Sequence, residues 1–314
     1  MPTFEAKGVI PATLMAFNDD YSIDEAAARA HLRDVCATPG LSAVTVNGHA
    51  SEVHACTFEE QQRILAVSVA EVGDRLPVVN GVYADGSLEA TRIARMSEQE
   101  GAQALLVFPP QSMSMGGQLR PEMALLHFRT IAEATDLPII VFQYPAAGPT
   151  SYPLDTLLSM IDEIPQIVAI KDWSNDAMLH ERHIRTLQNL PRPVNVLTTH
   201  SSWLMSSLVM GAAGLLSGAG SVIAAMQVEL FQAVQAGDLP RAQAVNDRMY
   251  PMAQAFYRPA FLDMHNRMKT CLNLLGKMPN RVVRPPLAPL SQAEVDSLAQ
   301  AMREAGIEAE RAAA

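Results

Sequence analysis

A (β/α)8 TIM barrel with a C-terminal helical extension is the fold predicted by three features of the sequence. Short β-branched apolar runs alternate with longer helical patterns, and that rhythm calls for a parallel sheet with helices outside it. The alternation repeats eight times, the number at which such a sheet closes into a barrel. No G-x-G-x-x-G follows the first run, which weakens the dinucleotide-binding form of the competing open sheet.

The units follow one another without a gap. The first reads GVIPATLM (8–15) and SIDEAAARAHLRDVCA (22–37). The second pairs SAVTVNG (42–48) with TFEEQQRILAVSVAEV (57–72), and the third pairs LPVVNGV (76–82) with SLEATRIARMSEQEG (87–101). AQALLVFPP (102–110) precedes RPEMALLHFRTIAEAT (120–135), and LPIIVFQYP (137–145) precedes PLDTLLSMIDEI (153–164). QIVAIKDW (166–173) leads to DAMLHERHIRTLQNL (176–190), and VNVLTT (194–199) to SSWLMSSLVMG (201–211). The eighth unit is AAGLLSG (212–218) with VIAAMQVELFQAVQAG (222–237), and a helical remainder runs from about 238 to 304. The expected division is a barrel over 1–222, then the last barrel helix and a C-terminal helical segment over 223–314.

Composition sets outer bounds. The chain has 314 residues, 49% hydrophobic and 18% charged, the balance of a globular protein with a large core. A net charge of −10 argues against a nucleic-acid binder, which carries a basic patch. Three cysteines, Cys36, Cys56 and Cys271, have no C-x-x-C spacing, so neither a disulfide framework nor a zinc site is expected. No basic start followed by an apolar segment opens the chain and no run of about 18 apolar residues occurs, so the expectation is no signal peptide, no membrane partner and a cytoplasmic location.

The chemistry centres on IPQIVAIKDWSND (164–176). Only four lysines occur, Lys7, Lys171, Lys269 and Lys277, and Lys171 ends a run that reads as a strand buried on both faces. Barrel enzymes gather their functional side chains at the C-terminal ends of strands. A lysine amine held among apolar neighbours loses hydration, so its neutral form becomes accessible. A neutral amine attacks a ketone, and the protonated imine that follows is an electron sink. The competing readings are a lysine paired with Asp172 or one reaching out to solvent. Asp172 follows directly, and alternation along a strand sends its side chain to the opposite face.

The segment IVAIKDWSND resembles the Schiff-base segment of the dihydrodipicolinate synthase / N-acetylneuraminate lyase family, the class I aldolases of 2-oxo acids. GVIPATLMAFNDDYSID, NGHASEVHACTFEEQ, PVVNGVYADGS, LLVFPP, GAAGLLSGAGSV and CLNLLGKMPNRVVRPPLAPLS match further landmarks in order, and the resemblance runs from about residue 8 to 306. It implies that Lys171 forms an imine with pyruvate or another 2-oxo acid. Gly48 and Glu52 keep the glycine and glutamate of the substrate loop, with Ala50 and Ser51 between them, and backbone amides there can hold a carboxylate. Ser217 and Gly218 fall at the corresponding Ser-Gly position of the barrel mouth. The resemblance also implies a homo-oligomer, dimer or tetramer, and chemistry that needs no metal and no organic cofactor.

Departures from the pattern carry the substrate information. His49 and Ala50 replace the two loop threonines. Phe142 stands at the catalytic tyrosine position, and Tyr144 lies two residues on, on the same face by strand alternation. Gln111 and Ser112 stand where the synthase has a tyrosine pair, and PAAGPTSY lacks its carboxylate-binding arginine. These losses argue against dihydrodipicolinate synthesis itself. Tyr144 and His49 are therefore the candidate proton carriers, His49 because imidazole titrates near neutrality. Trp173 reads as a hydrophobic wall, and with Phe142 and Tyr144 it suggests a bulky or aromatic second substrate. Glu52 reads as a loop-organising carboxylate or an acid–base group. His54 and His200 read as structural residues or polar lining, and His180 and His183, three apart, as a solvated helix face. The resulting expectation is a Schiff-base lyase: an aldolase, hydratase-aldolase or dehydratase. The alternative is a barrel that binds a 2-oxo acid without turnover, which the loss of the phenol at Phe142 keeps open.

Overall fold

Eight short strands run parallel: β1 (Gly8–Pro11), β2 (Val44–Val46), β3 (Val78–Val82), β4 (Ala104–Val107), β5 (Ile139–Gln143), β6 (Ile167–Asp172), β7 (Asn195–Thr198) and β8 (Gly214–Ser217). Their spatial order is β1-β8-β7-β6-β5-β4-β3-β2. Parallel bridges Val9–Leu41 and Ala12–Thr45 close the remaining seam. There the Ser42 amide donates to the Val9 carbonyl (3.0 Å) and the Thr13 amide to that of Thr45 (2.9 Å). The computed structural model describes residues 3–308, and the architecture is the expected (β/α)8 barrel with C-terminal helices.

The strands are apolar because both faces are covered, one by the barrel interior and one by the helix layer. Every residue of β5, IIVFQ, is buried. The β1–β8 contact is unusually close. Gly8 pairs Gly214 across it, and a Cβ on Gly214 would lie 2.2 Å from the Gly8 carbonyl oxygen.

Around the barrel run α1 (Glu25–Cys36), α2 (Phe58–Val72), α3 (Ser87–Gln99), α4 (Pro121–Ala132), α5 (Leu154–Glu163), α6 (Ala177–Leu187), α7 (Leu204–Val209) and α8 (Gly220–Gln235). Several starts are capped in ways the sequence encodes. Asp24 accepts from the Ala27 amide, Asp176 from that of Leu179, and Thr57 with Glu60 forms a capping box. Each such cap is worth about 1 kcal/mol. The seventh helix is shorter than expected, because Ser201–Trp203 forms a 3-10 turn before α7 begins. The expected division at 222 falls inside α8, beside a non-helical residue, Ile223 (φ −122°, ψ 33°).

The remainder folds as α9 (Leu239–Phe256), α10 (Met264–Leu274) and α11 (Gln292–Glu304), with α9 against α8, and α10 and α11 against α9. A buried ion pair ties α10 to the loop after β2, with Lys269 Nζ 2.5 Å from Glu52 Oε1. Among the described residues, no helix is long and apolar enough to cross a membrane.

The expectation of a solvated face for His180 and His183 is overturned. Both are fully buried on the inner side of α6. Their Nδ1 atoms lie 2.9 and 2.8 Å from Asp172 Oδ2. Asp172 points outward from β6 into this dry layer, and a buried carboxylate requires donors. The Ser174 amide also donates to its Oδ1 at 2.7 Å. Burial alone would raise the Asp172 pKa, but bonds from His180 and His183, with His200 close by at 3.6 Å, outweigh it and hold the carboxyl well below its ordinary value. Asp172 is thus an acceptor only, and the Nδ1 atoms donate.

Candidate active site

Lys171 sits near the C-terminal end of β6, opposite Phe142 on β5 and Leu197 on β7. Its side chain turns inward, and its Nζ lies 4.0 Å above the centre of the Phe142 ring. Only 6% of the residue is exposed. Among the described residues the amine has no hydrogen bond or ion pair, while its neighbour Asp172 is engaged on the other face. Burial pushes the Lys171 amine down to about 7. The aromatic face attracts an ammonium, but desolvation is the larger effect, so a large fraction of the amine is neutral at neutral pH.

The loop after β2 supplies the facing wall. Gly48 precedes a 3-10 turn over His49–Ser51, and Glu52 adopts the left-handed conformation (φ 52°) before a second turn over Val53–Ala55. The Ser51, Glu52 and Val53 amides donate within the loop, whereas those of His49 and Ala50 have no acceptor among the described residues. First-turn amides are unsatisfied in any helix, and here they belong to residues lining the chamber around Lys171.

His49 lies in an aromatic cage, with ring centres 4.8 Å from Phe108, 5.6 Å from Phe142 and 5.7 Å from Tyr144. Its Nε2 is 2.7 Å from the Tyr144 hydroxyl oxygen. Burial, then the nearby Lys171, lowers the His49 pKa well below its ordinary value. Burial raises that of Tyr144. Both groups are therefore neutral and share one hydrogen bond. Tyr144 stands just past β5 and its ring packs 4.9 Å from Phe142.

The space has two parts. An inner chamber of about 30 Å³ touches Lys171, Phe142, Gly48, His49, Ala50 and Gly218. An outer chamber of about 370 Å³ continues from it, with Tyr144, Tyr83 and Phe261 in its wall. His49, Trp173, Met264 and His265 border both. A Cβ at Gly218 would come 2.9 Å from His265 Nε2, so a side chain there would displace the imidazole.

Three residues named for the substrate loop and the barrel mouth spend their side chains within the fold. The Ser51 hydroxyl donates to the Thr13 carbonyl at 2.8 Å and lines neither chamber. Ser217 is fully buried, 2.9 Å from the Ser201 hydroxyl, and receives the Ala219 amide at 3.2 Å. Glu52 borders the outer chamber, but its carboxylate is held by Lys269 and by the Arg284 amide at 3.0 Å. These groups satisfy buried backbone and charge within the fold, which leaves them little capacity for a ligand.

The extension brings in residues that sequence reasoning missed. His265 and Met264 on α10, Tyr257 after α9, and Phe261 and Leu262 between them all reach the barrel mouth. His265 has no hydrogen-bond partner among the described residues, and burial lowers its pKa to about 3. Of the two histidines read as structural or lining, His54 borders the outer chamber, and His200 is buried against Trp203 and Asp172. Ligand atoms of Asp172, His180 and His200 lie within 4.8 Å of one another, a spacing a cation could use. Hydrogen bonds account for two members of the group, since His180 contacts Asp172 with one nitrogen and Ser207 (2.6 Å) with the other, while His200 Nε2 lies 3.6 Å from Asp172 Oδ1.

A closed barrel with a partly neutral lysine inside the mouth of its sixth strand defines a lyase barrel of the class I aldolase type. The chain belongs to the dihydrodipicolinate synthetase family, whose family model matches residues 5–305. A 4-hydroxy-tetrahydrodipicolinate synthase from Methanothrix thermoacetophila is 31% identical over 288 residues, covering 91% of this chain and 92% of that one. One from Gluconacetobacter diazotrophicus is 28% identical over 307 residues, covering 98% and 99%. Among solved structures, a prophage protein of E. coli, of the dihydrodipicolinic acid synthase family and in complex with pyruvate, matches with a TM-score of 0.89 at 20% identity, covering 96% and 99%. The dihydrodipicolinate synthase of Thermotoga maritima matches with 0.87 at 22% identity, covering 98% and 100%. At these identities the structural likeness concerns the fold.

Proposed function

We propose that this protein is a Schiff-base lyase that binds pyruvate or another 2-oxo acid through an imine at Lys171. The observation that carries the reading is the unpaired Lys171 amine, buried over Phe142 and with its pKa near 7. The amine adds to the C2 carbonyl, and loss of water gives a protonated imine. This cation withdraws electrons from C3, so a proton or a carbon fragment can leave C3 and form an enamine. The free His49 and Ala50 amides suit the substrate carboxylate.

In this reading His49 and Tyr144 are the proton carriers, joined by their 2.7 Å contact. Phe142, Trp173, Gly48, Ala50 and Gly218 shape the pocket around the imine. The product is not dihydrodipicolinate: no arginine follows β5 before α5, and Gln111 and Ser112 replace the tyrosine pair. The neighbour solved with pyruvate supports a three-carbon oxo acid as the first substrate to test.

Borohydride reduction with pyruvate tests the reading, with mass spectrometry of the peptides. The expected adduct is on Lys171, absent in Lys171→Ala and in Lys171→Arg, whose guanidinium stays protonated. An adduct on another lysine, or none with any 2-oxo acid, overturns it. Trapping without turnover would favour the binding-only alternative.

A further inference from the structure

We propose that the outer chamber receives an uncharged aromatic aldehyde as the carbon electrophile, or releases one in the cleavage direction. The proposal rests on the imine reading above and names the second substrate of that site.

Size divides the roles. The inner chamber, about 30 Å³, is on the scale of a few water positions, at about 10–15 Å³ each. It suits the head of a small oxo acid and little more. The outer chamber, about 370 Å³, lies within the range of about 300–1,000 Å³ that holds larger organic ligands.

The walls select a planar apolar group. Trp173 stands between Tyr144, 6.0 Å away at 73°, and Phe261, 6.5 Å away at 85°. All three rings line the space, and a further aromatic ring gains from edge-to-face or offset contact with such walls. Tyr83, Leu262 and Leu287 complete the apolar lining.

Charge excludes the alternatives. No lysine or arginine borders the outer chamber among the described residues. Glu52, its one carboxylate, is already paired with Lys269. The histidines His54 and His265 are held neutral by burial. A carboxylate or phosphate on the electrophile would lose water and find no cation, and an ammonium would find no free anion.

Two polar side chains sit where the reacting oxygen would be, while Gln111 and His54 lie on the outer wall. His49, bonded to Tyr144, and the unpartnered His265 lie at the junction of the chambers. The enamine C3 attacks the aldehyde carbon, a C–C bond forms, and the carbonyl electron pair moves to oxygen. That oxygen takes back the proton removed from C3, delivered by the Tyr144–His49 pair. Water then hydrolyses the imine, freeing the Lys171 amine and a 4-aryl-4-hydroxy-2-oxo acid. No oxidant or further reactant is needed.

The test pairs pyruvate with benzaldehyde, cyclohexanecarboxaldehyde and succinic semialdehyde, and runs pyruvate trapping on the same preparations. The expected kcat/KM for benzaldehyde exceeds that for succinic semialdehyde by about 100-fold, because an unpaired buried charge costs several kcal/mol. It exceeds that for the non-planar aldehyde by about tenfold, from the aromatic contacts. Phe261→Ala should shrink the second ratio, and Leu262→Arg, at a position 61% exposed, should shrink the first. Trapping at Lys171 with succinic semialdehyde or the cyclohexyl aldehyde preferred, or with no aldehyde accepted, overturns the proposal and leaves the imine standing. Failure of trapping itself removes the imine reading and this proposal with it.

Discussion

The Tyr144 hydroxyl oxygen lies 2.7 Å from His49 Nε2, which joins a residue beyond the fifth strand to one in the loop after the second. The phenol's line into the inner chamber runs through this imidazole, because Tyr144 borders the outer chamber and His49 borders both. The position directly across from Lys171 is Phe142, which has no proton to give. In the proposed mechanism a phenol displaced by two residues and coupled to a histidine stands in for one at the strand.

Removal of either partner should lower turnover by about 10²–10⁴-fold, the usual contribution of a positioned acid–base group. Tyr144→Phe and His49→Gln are the informative changes, because both keep the aromatic cage or its volume. Groups that act as a unit are strongly non-additive, so the double variant should be scarcely worse than either single one. Imine trapping with pyruvate should persist in Tyr144→Phe. Full turnover by Tyr144→Phe would leave His49 to act without it.

The pH dependence of trapping should report Lys171. Only the neutral amine attacks a ketone, so the trapping rate should climb with pH and level off above about 7. An amine of ordinary basicity would keep climbing to about 10. Cyanoborohydride trapping from pH 5 to 10 distinguishes the two profiles.

The same shift has a stability consequence of defined sign. Between about 7, the folded value, and about 10.4 for the unfolded chain, the unfolded state holds the extra proton. Stability of the native protein should therefore rise with pH across that window. Lys171→Met removes the buried amine, so the variant should be the more stable one. Its advantage should be greatest below pH 7 and shrink toward pH 10. Urea unfolding at pH 6, 8 and 9.5 measures the gap, and a gap that does not change with pH would contradict the assignment.

The barrel was legible in the sequence because each strand carries its own apolar run and each helix its own pattern. Lys171 was legible too, since alternation along QIVAIKDW places it and Asp172 on opposite faces. What the sequence hid was contact across distance. His180 and His183 look like a polar helix stripe, yet that stripe faces Asp172 across the sheet–helix layer. Nothing local in YRPAFLDMH (257–265) says that the extension folds back to the barrel mouth, so His265 and Phe261 went unseen. A clue did exist in Lys269, one of only four lysines, whose buried ammonium needed a carboxylate and found Glu52. Ser51 and Ser217 sat at the right positions in the chain, but their hydroxyls are taken by neighbouring backbone and side chains.

The Glu52–Lys269 pair should hold the extension onto the barrel. Lys269→Met would leave a nearly inaccessible carboxylate without its cation, a change that costs about 3–5 kcal/mol. Replacing both partners, Glu52→Gln with Lys269→Met, should recover a large part of that loss. Urea unfolding of the three proteins gives the comparison. An equal loss in the single and double variants would show that the pair's charge is not what matters.

Asp172 should act as the acid-sensitive anchor behind the sixth strand. Burial disfavours its charge, but bonds from His180 and His183, with His200 close by, bring the folded pKa well below the ordinary carboxylate value. A carboxyl with a depressed folded pKa stabilises the native state above its unfolded value of about 3.9, and that contribution fades as pH falls through the folded value. Asp172→Asn should therefore lower stability by about 3–5 kcal/mol at pH 7, as expected when a buried charged partner is lost. Below about pH 4 the difference between wild type and variant should narrow progressively. Thermal melts of both proteins from pH 7 to pH 3 test this. A difference that stays constant through acidification would mean that Asp172 contributes by shape and hydrogen bonding rather than by its charge.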